Sequence, residues 1–582
     1  MAVLKQTFFA VALAALTTVA CSGGDGGGTT TPPAGSPPPT GSAPPPGSPP
    51  PPVSSATMLE TSDEVARFLL QGSFGGDIEI IQSMVGTDAT TWVSDEFRKP
   101  CTRFIQDVFA MRDSDGDLSG RPYSNLYWDT LMTADDQLCQ RMAFALSQIL
   151  VISDNALGGD QLAVAHYQDI LIRNALGNYR ELLSEVTYSP AMAKFLTYFR
   201  NRKSDPRRGR MPDENYAREL LQLFTIGVVE LNMDGTSRLG PLGAEIETFD
   251  NTDITGLARV FTGLAYIGDG FRDNSNPDRE FQPLQMYDEE HSELDKVFLG
   301  TTIPAGTGGD ESIERALDAI FDHPNVPPFI ARQLIQRFTA SNPSPGYVER
   351  VATAFANGSY EAPNGVAFGD NRRGDLQATI AAILLDTEAL QAANATSELD
   401  GKIREPVLKF LQWVRAFNVT GIDADSEGRL RDTSRTNDRL AQHPFRAPSV
   451  FNFYRPGFQA PGTESGDAGL TTPEFQIINE GSSLGYINFM TDFVFDRTGG
   501  SDDPERYLPD YATEIALAND AQALVAHLNL LLTGNAMTEN EISAVENAVS
   551  ALTISDEDRD LRQRVIVAIT LIVSGPAYAV LR

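Results

Sequence analysis

Residues 134–153 read ADDQLCQRMAFALSQILVIS, and this stretch decides the fold class. Its apolar residues recur at spacings of three and four, which is the pattern of a buried helix. Similar patterns fill most of the chain beyond residue 57, including residues 312–321 and 565–573. Thr538 and Glu541 form a capping box that predicts the start of another helix. The sequence therefore predicts a mainly α protein, a large multi-helix globular domain.

Strand signals are few by comparison. Residues 298–303 (FLGTTI) and 365–368 predict short strands, and we expect at most a few of them. The apolar run 565–573 has only nine residues, so it predicts a buried C-terminal helix instead of a membrane span. Segments rich in Gly and Pro predict long irregular loops near 204–212, 268–283, 303–310, 357–374 and 456–473.

The charge balance excludes one class of partner. The chain has 582 residues, with 45 Lys and Arg against 78 Asp and Glu, and its net charge is -33. Such a charge repels phosphate backbones, so we expect no nucleic-acid partner. The same acidity suits cationic partners, metal ions or neutral polymers such as glycans, and composition does not choose among them.

The N-terminus predicts export. Lys5 precedes an apolar stretch, Thr7–Ala20, that is too short for a membrane span, so residues 1–20 are predicted to be a signal peptide. Residues 18–21 (TVAC) resemble the processing box of bacterial lipoproteins, in which Cys21 receives the lipid. The alternative is ordinary secretory cleavage after Ala20. Ser22 follows the cysteine, which by resemblance to bacterial sorting rules indicates the outer membrane or cell surface; the alternative is a secreted or periplasmic protein.

Residues 21–56 consist almost entirely of Gly, Ser, Thr, Ala and Pro. Such a composition offers no apolar side chains for a core, and consecutive prolines favour an extended polyproline II chain. We expect a lipid-anchored disordered tether, followed by a single large domain over residues 57–582.

Two cysteines remain beyond the processing box, Cys101 and Cys139. In an oxidising compartment two such thiols tend to pair, which predicts a disulfide. Cys139 also falls within a helical pattern, where it could equally be a small buried hydrophobic residue.

Asp113, Asp115 and Asp117 alternate as the first ligands of a calcium loop do. Position six of the loop is Leu118 instead of Gly, and position twelve is Ser124 instead of Glu. These residues are therefore a weak calcium candidate, and a solvated acidic turn is the alternative.

The most distinctive local pattern is residues 211–224, MPDENYARELLQLF, where Pro and acidic residues predict a helix start. Glu214 and Arg218 lie one turn apart, with Glu219 nearby. Two carboxylates and an arginine could act as acid and base or bind a hydroxylated substrate. Glu214 and Arg218 could equally be an ordinary i,i+4 ion pair on a helix surface.

Histidine is scarce, with five in the chain, and no HExxH or CxxC motif predicts a zinc site. His291 lies in a polar acidic loop, and His323 follows a predicted helix whose dipole gives it a structural role. A metal-dependent enzyme that brings His291 and His323 together is the weakest hypothesis. The sequence identifies no cofactor.

Several polar runs resemble, in order, a family of exported bacterial proteins called domain of unknown function 1800. The similar runs are 66–71 (ARFLLQ), 141–150 (RMAFALSQIL), 212–219 (PDENYARE), 258–263 (ARVFTG), 323–325 (HPN), 331–337 (ARQLIQR), 341–345 (SNPSP), 404–406 (REP) and 447–456 (APSVFNFYRP). The resemblance covers nearly all of the chain beyond the tether and implies one continuous domain. It carries no residue-by-residue biochemical function.

The resemblance also implies a partner. Members are commonly encoded beside the family called domain of unknown function 1501, whose members look sulfatase-like or phosphatase-like. This chain has Ser292 after His291, where similar proteins tend to have His followed by Asp. That departure weakens a catalytic pair at His291.

Two hypotheses follow. The first is a surface-tethered lipoprotein that binds or assembles with an extracellular polymer or a partner protein. The second is a carboxylate-based hydrolase or lyase acting on extracellular glycans, with Glu214 and Glu219 as acid and base and His291 as a proton shuttle. Glu214 and Glu219 would point about 140° apart on a helix, which disfavours a retaining pair.

Basic and polar residues of the same motifs are candidates for binding. They are Arg218, Lys296, His323, Arg332, Arg337, Asn452, Tyr454 and Arg455. An enzyme requires several of these candidate side chains in one concave, partly dry pocket, whereas a binding scaffold does not.

Overall fold

The computed structural model describes residues 56–112, 118, 122–158, 160–391, 401–420, 430–498 and 507–582. Ser54–Arg582 belong to one structural unit. The predicted signal peptide, the lipidation site Cys21 and nearly all of the tether lie outside the described residues. The calcium candidates Asp113, Asp115 and Asp117 lie outside them as well.

Short helices joined by loops make up the first half of the described chain. They are α1 Ser62–Gly72, α2 Ile78–Met84, α3 Ala89–Arg98, α4 Ile105–Ala110, α5 Pro122–Thr133, α6 Gln137–Ser147, α7 Gln161–Asn174, α8 Tyr179–Thr187, α9 Pro190–Phe195, α10 Asn215–Glu219 and α11 Asn251–Ala258. A 3-10 turn covers Pro206–Arg208, and a π-helical segment, Leu220–Thr225, continues α10.

The second half is also helical. Its helices are α12 Gly309–Phe321, α13 Val326–Phe338, α14 Pro345–Asn357, α15 Leu376–Leu384, α16 Thr387–Leu390, α17 Pro406–Ala416, α18 Glu464–Asp467, α19 Glu480–Val494, α20 Ala512–Leu517, α21 Ala521–Thr533, α22 Glu539–Ser550, α23 Glu557–Val573 and α24 Pro576–Ala579. A second 3-10 turn covers Pro473–Gln476.

Strands in the described part of the chain are two or three residues long and pair in antiparallel twos. The pairs are β1 Met58–Leu59 with β2 Thr87–Asp88, β3 Leu264–Ala265 with β4 Gln285–Met286, β5 Lys296–Phe298 with β6 Thr301–Ile303, β7 Tyr360–Glu361 with β8 Ala367–Phe368, and β9 Lys402–Ile403 with β10 Val580–Leu581. The mainly α fold class is therefore confirmed.

The predicted strand FLGTTI folds as the hairpin of β5 and β6. Leu299 and Gly300 form its two-residue turn, with φ angles of 46° and 71°. Two positive φ angles match the twist of a two-residue hairpin, but the first of them is unusual for a leucine.

Other sequence predictions also match local structure. Thr538 and Glu541 form the predicted capping box at the start of α22. The apolar run 565–573 ends the helix α23, and it is largely buried. Among the described residues, every helix is too short or too polar to cross a bilayer.

The helix predicted to start at Pro212 begins three residues later, at Asn215. The amide of Asp213 donates to Oδ1 of Asn201 at 2.9 Å, and Nδ2 of Asn201 donates to the carbonyl of Asp213 at 3.2 Å. The carboxylate of Asp213 also accepts from the amide of Asn215 at 2.9 Å. These bonds replace the helical pattern at the first turn, because Asp and Asn side chains compete with helical backbone bonding.

Helix α6 lies at the centre of the fold. Every residue from Gln137 to Leu146 is buried, including the charged side chain of Arg141, which is 0% exposed. A helix that is buried all round needs partners for its polar groups as well as its apolar ones. The predicted helix over 134–153 is thus shorter than expected, and the chain beyond Ser147 stays buried without being helical.

Cys101 and Cys139 are bonded as a disulfide, with their Cα atoms 5.9 Å apart. The bond ties the loop before α4 to the central helix α6 and closes a segment of 38 residues. Cys139 is also fully buried, so the two interpretations of this residue hold together.

We expect Cys101→Ser to lower the free energy of unfolding by about 2–4 kcal/mol, because it frees the denatured chain from a closed loop. Urea unfolding of the oxidised wild type and of the variant measures this difference. Reduced wild type is the control and should match the variant. Equal stability of oxidised wild type and variant would contradict a structural disulfide.

Candidate functional site

The carboxylate of Glu405 is the centre of a buried polar cluster. Glu405 is the residue immediately before α17 and is 0% exposed. Its Oε2 atom accepts hydrogen bonds from Nε2 of Gln148 at 2.6 Å, from the hydroxyl of Tyr454 at 2.8 Å and from Nε2 of Gln442. Three separate segments of the chain therefore converge on one carboxylate oxygen.

Buried guanidinium groups surround this carboxylate. Arg141 of α6 donates to the carbonyl of Arg337, and Arg337 of α13 donates to the carbonyls of Gln333 at 2.8 Å and Gln148 at 3.0 Å. Burial lowers the pKa of Arg141 to about 10, while the charge of Glu405 opposes that change. Arg141 is thus still charged at neutral pH. One backbone carbonyl, the charge of Glu405 and the ring of Phe338, whose centroid is 4.6 Å from the guanidinium, offset part of the loss of water, while Nε and Nη1 of Arg141 are buried without a hydrogen-bond partner.

An ion pair lies in the same interior. Lys402 of β9 contacts Glu474 of the 3-10 turn, and their side chains are 1% and 2% exposed. Burial raises the pKa of Glu474, and Lys402 opposes this rise. Together with Arg404, whose Nη1 donates to the carbonyl of Tyr578 at 3.2 Å, this pair extends the cluster towards the C-terminus.

Lys409 of α17 is a buried ammonium held mainly by an aromatic ring. Its Nζ atom lies 3.7 Å from the ring centroid of Tyr486. Burial and, to a smaller extent, the positive charge of Arg404 together lower the pKa of Lys409 to about 7. A cation–π contact compensates only part of the cost of burying a charge.

A narrow pocket opens beside Glu405. Gln148, Gln442, His443 and Asn452 contribute polar groups to its lining, and its cavity volume is about 10 Å³. That volume holds about one water molecule. The place where four of the nine quoted runs meet, 141–150, 331–337, 404–406 and 447–456, is therefore a filled polar junction without room for a substrate.

The candidate pair of Glu214 and Arg218 lies at the surface. Arg218 Nη2 is 3.8 Å from Glu214 Oε2, and both side chains are 41% exposed. The hydroxyl of Thr255 on α11 donates to Glu214 Oε1 at 2.8 Å. The structure thus forms the ordinary i,i+4 pair, and an exposed pair of this kind contributes little stability.

Glu219 differs from Glu214 because it is only 7% exposed. Its Oε2 atom is buried and has no hydrogen-bond partner. Burial raises the pKa of Glu219, and the charge of Arg218 partly opposes the rise. A carboxyl group in this environment holds its proton more readily than a solvated one.

His291 and Lys296 lie together near the start of α12. Nδ1 of His291 is 2.8 Å from the carbonyl of Thr262, whereas its Nε2 is buried without a partner. Lys296 is 0% exposed, and its Nζ is 3.4 Å from the carbonyl of Thr307. Burial lowers the pKa of both groups, and Lys296 lowers that of His291 further. His291 is therefore a buried group with a backbone partner, not a group in an open polar loop.

The remaining binding candidates have separate environments. His323 follows α12, and its Nδ1 accepts from the amide of Asn325 at 3.2 Å. Arg332 lies on the exposed side of α13. Arg455 is exposed and stacks on Phe451, with its guanidinium 4.6 Å from the ring centroid. By contrast Arg337 and Tyr454, described above, join the Glu405 cluster, and Asn452 lines its pocket.

One group of potential metal ligands occurs among the described residues. Cys101, Asp136 and Cys139 offer ligand atoms within 4.8 Å of one another. The two sulfurs are joined in the disulfide, so neither is available as a thiolate. The carboxylate of Asp136 instead accepts from the amide of Thr102 at 2.9 Å.

The sequence interpretation assigned no role to Arg141, Gln148, Arg404 or Glu405, although all four belong to the runs quoted above. The sequence around one of these residues, Arg141, could have indicated a buried polar cluster. Arg141 interrupts an otherwise apolar helical pattern, and a charge in a buried stripe requires a buried partner. The identity of that partner depends on contacts between residues more than 200 positions apart.

The fold and this interior define a large helical protein in which four of the sequence runs quoted above meet at a buried polar junction. Residues 67–580 match the family described as "Protein of unknown function (DUF1800)". The chain belongs to that family, because the match covers most of its length. No curated protein and no solved structure is significantly similar to it.

We expect Glu405→Gln to lower the free energy of unfolding by about 3–5 kcal/mol, because it leaves the buried charge of Arg141 without its carboxylate. Tyr454→Phe removes one hydrogen bond to the same oxygen and should cost about 1.5–3 kcal/mol. Urea unfolding measures both. The exposed neighbour Arg455→Gln is the control, with an expected change within about 0.5 kcal/mol. If the Glu405→Gln variant has the same free energy of unfolding as the Arg455→Gln control, this carboxylate has no stabilising role.

Proposed function

We propose that this protein is an exported, surface-tethered lipoprotein that binds or assembles with a partner through its exterior and catalyses no reaction. The observation that carries this proposal is the separation of the candidate catalytic groups into different local environments. Glu214 pairs with Arg218 at the surface, His291 bonds to the backbone of Thr262, and Arg337 bonds to buried carbonyls. Groups held in this way resemble structural contacts, since a catalytic set shares one pocket.

An arm of three extended segments supplies a surface for such a partner. The segments lie between Val228 and Thr248 and are joined by the bridges Val229–Glu247, Leu231–Ser237 and Leu239–Glu245. Val228, Leu239 and Leu242 of the arm are 51%, 60% and 96% exposed. Exposed apolar side chains grouped on one element are typical of a protein-binding surface.

Asn325 of the family run HPN anchors the base of this arm. Its Oδ1 accepts from the amide of Leu231 at 2.9 Å, and its Nδ2 donates to the carbonyls of Ile226 at 2.9 Å and Val229 at 2.8 Å. Asn325 itself is 1% exposed. A family run thus fixes the position of the exposed leucines, which supports binding through the arm.

The partner we propose is a protein, because leucine side chains contact apolar protein surface more favourably than hydroxylated polymers. The family resemblance implies a sulfatase-like protein of the family called domain of unknown function 1501. An extracellular polymer such as a glycan remains the alternative partner. Residues 21–56 would serve as the tether, with Cys21 carrying the lipid and the outer membrane or cell surface as the location.

Leu242→Asp should weaken binding of the full chain to a sulfatase-like protein of the family called domain of unknown function 1501 by about tenfold, because a charge would enter an apolar contact. Leu484→Asp is a matched control, since Leu484 is 48% exposed on α19, away from the arm. Surface plasmon resonance with the purified pair measures both affinities. Equal loss in both variants, or no binding by wild type, would contradict binding of this partner through the arm.

We expect Cys21→Ala to abolish incorporation of radiolabelled palmitate and to release the protein from membranes. Ser22→Asp is the control: it retains the acceptor cysteine and should keep the label, while by resemblance to bacterial sorting rules the protein moves to the inner membrane. Membrane fractionation of the source bacterium measures both outcomes. A labelled Cys21→Ala protein would refute lipidation at this residue.

One observation supports the second candidate function, a glycan hydrolase or lyase. The raised pKa of Glu219 and its free Oε2 are properties of a general acid. Purified protein should be incubated with surface glycans of the source bacterium, and released reducing ends or unsaturated products measured. Turnover by wild type that falls at least 100-fold in Glu219→Gln but not in Glu214→Gln would favour this function over pure binding. Absence of turnover, or equal turnover in all three proteins, would exclude Glu219 as the acid.

A further inference from the structure

A basic hairpin, residues 202–210 (RKSDPRRGR), interrupts the acidic character of the chain. Five of its nine residues are Arg or Lys and one is Asp, whereas the whole chain has 45 Lys and Arg against 78 Asp and Glu. At physiological salt, exposed charges interact strongly over only about 8 Å. A ligand at this hairpin therefore responds to the charges of the hairpin more than to the net charge of -33.

The backbone of the basic hairpin is fixed by its own hydrogen bonds. Asp205 and Arg210 form an antiparallel bridge, in which the amide of each donates to the carbonyl of the other, at 2.9 Å and 3.0 Å. Between them Pro206–Arg208 form a 3-10 turn, and Oδ1 of Asp205 accepts from the amide of Arg207 at 3.1 Å. Gly209 closes the turn with a φ of 66°, which a glycine adopts without strain. The tip of the hairpin, residues 205–210, thus holds its side chains on a defined backbone.

An acidic loop neutralises the two cations at the base of the hairpin. Arg202 Nε donates to Glu290 Oε2 at 2.6 Å, and Lys203 Nζ donates to Glu293 Oε1 at 2.7 Å. The amide of Lys203 also donates to the carbonyl of Glu290 at 2.8 Å. The hydrogen bond from Arg202 and the charges of Arg202, Arg210 and Lys203 lower the pKa of Glu290. These contacts attach the hairpin to the body of the protein and leave its excess positive charge at the tip.

Three guanidinium groups of the tip are available for a ligand. Arg207 is exposed, and its side chain has no hydrogen bond or ion pair with any residue that the structure describes. The side chain of Arg208 is 78% exposed, and its Nε lies 3.7 Å from the carboxylate of Asp205. Arg210 is half-buried and donates through Nε to the carbonyl of Lys203 at 3.0 Å, so its two Nη atoms are left for other contacts. The tip therefore has three positive charges and one carboxylate.

The close spacing of Arg207, Arg208 and Arg210 favours a ligand with repeated anionic groups. A guanidinium binds a carboxylate or a sulfate through paired N–H donors. A single exposed ion pair contributes little, so one isolated anion would bind weakly at this tip. A polymer with anions on successive units presents several of them to the three guanidiniums at once, and its affinity gains from this multiplicity.

The acidic body of the protein selects among such ligands. A membrane surface or an acidic globular protein would bring a second broad negative surface against a chain with a net charge of -33. Duplex DNA carries one charge per about 1.7 Å of its axis, so the same body would repel it strongly. An acidic polysaccharide is a thin chain whose charges are separated by whole sugar rings. It can therefore reach the tip with the least repulsion.

We propose that the basic hairpin binds an acidic polysaccharide through Arg207, Arg208 and Arg210. Carboxylate and sulfate groups on the sugars share this chemistry, and the choice of probe distinguishes them. The inference goes beyond the proposed function, because neither the arm nor the lipid anchor takes part in it. Failure of the chain to bind a protein partner through the arm would leave it unaffected.

The test titrates the full chain with three oligosaccharides of equal length. They are an oligogalacturonate, which carries carboxylates, a sulfated oligogalactan, and a neutral maltooligosaccharide. Isothermal titration calorimetry measures the affinities at low and at physiological salt. We expect acidic but not neutral sugars to bind, with an affinity that falls as salt rises, because the contacts are ionic. Binding of the oligogalacturonate alone assigns a uronate polymer, and binding of the sulfated probe alone assigns a sulfated one.

The double variant Arg207→Gln, Arg208→Gln should weaken this binding about tenfold, because two of the three guanidiniums are lost. The matched control is the double variant Arg98→Gln, Arg559→Gln. It removes the same number of charges from side chains that are 74% and 68% exposed elsewhere on the protein. We expect the control to bind like wild type. All four positions are at the surface, so thermal unfolding should show both variants folded like wild type.

Three results would overturn the proposal. The first is that neither acidic oligosaccharide binds at low salt. The second is that the two double variants lose affinity equally, since the net charge of the chain would then control binding. The third is that a short DNA duplex or vesicles of phosphatidylglycerol bind the hairpin more tightly than either acidic oligosaccharide, which would assign a different anion to it.

Discussion

The buried carboxylate of Glu405 is the constraint on which the interior depends. Its Oε2 accepts from three uncharged donors, and its charge favours the charged form of the buried Arg141. Burying a charge costs several kcal/mol unless hydrogen bonds and an opposite charge offset it. The chain meets this cost by converging α6, α13, α17 and the segment around Tyr454 on one point.

This interior carries a charge opposite to that of the whole chain. Among the described residues of this cluster, Arg141, Arg337, Arg404 and Lys402 are buried with two carboxylates, those of Glu405 and Glu474. Backbone carbonyls accept from each of the three arginines, whereas Nε and Nη1 of Arg141 and Nε of Arg337 are buried without a hydrogen-bond partner. The chain as a whole has a net charge of -33. The excess of acidic groups therefore lies outside this cluster, while the cations of the cluster lie where helices α6, α13 and α17 meet.

The Glu405 cluster has almost no empty space, whereas the arm proposed to bind a partner lies at the surface. The pocket at the junction has room for about one water molecule, whereas a pocket between α7 and α8 is about 160 Å³. The exposed leucines of the arm lie outside both. A family run can thus be indispensable to folding without touching a ligand, and Asn325 shows how such a run can also position a surface element.

The sequence by itself determined the fold class, the presence of a helix within residues 134–153 and the capping box of Thr538, because these depend on the spacing of neighbours within a few turns. It also identified Glu214 and Arg218 as a pair four residues apart. Only the tertiary structure decided that Gln148 and Tyr454 donate hydrogen bonds to the carboxylate of Glu405. It also formed the pocket that His166 lines. Local periodicity does not specify which distant segments meet. A hydrogen bond across 257 residues is fixed by the packing of the whole domain, and no pattern in the chain carries that information alone.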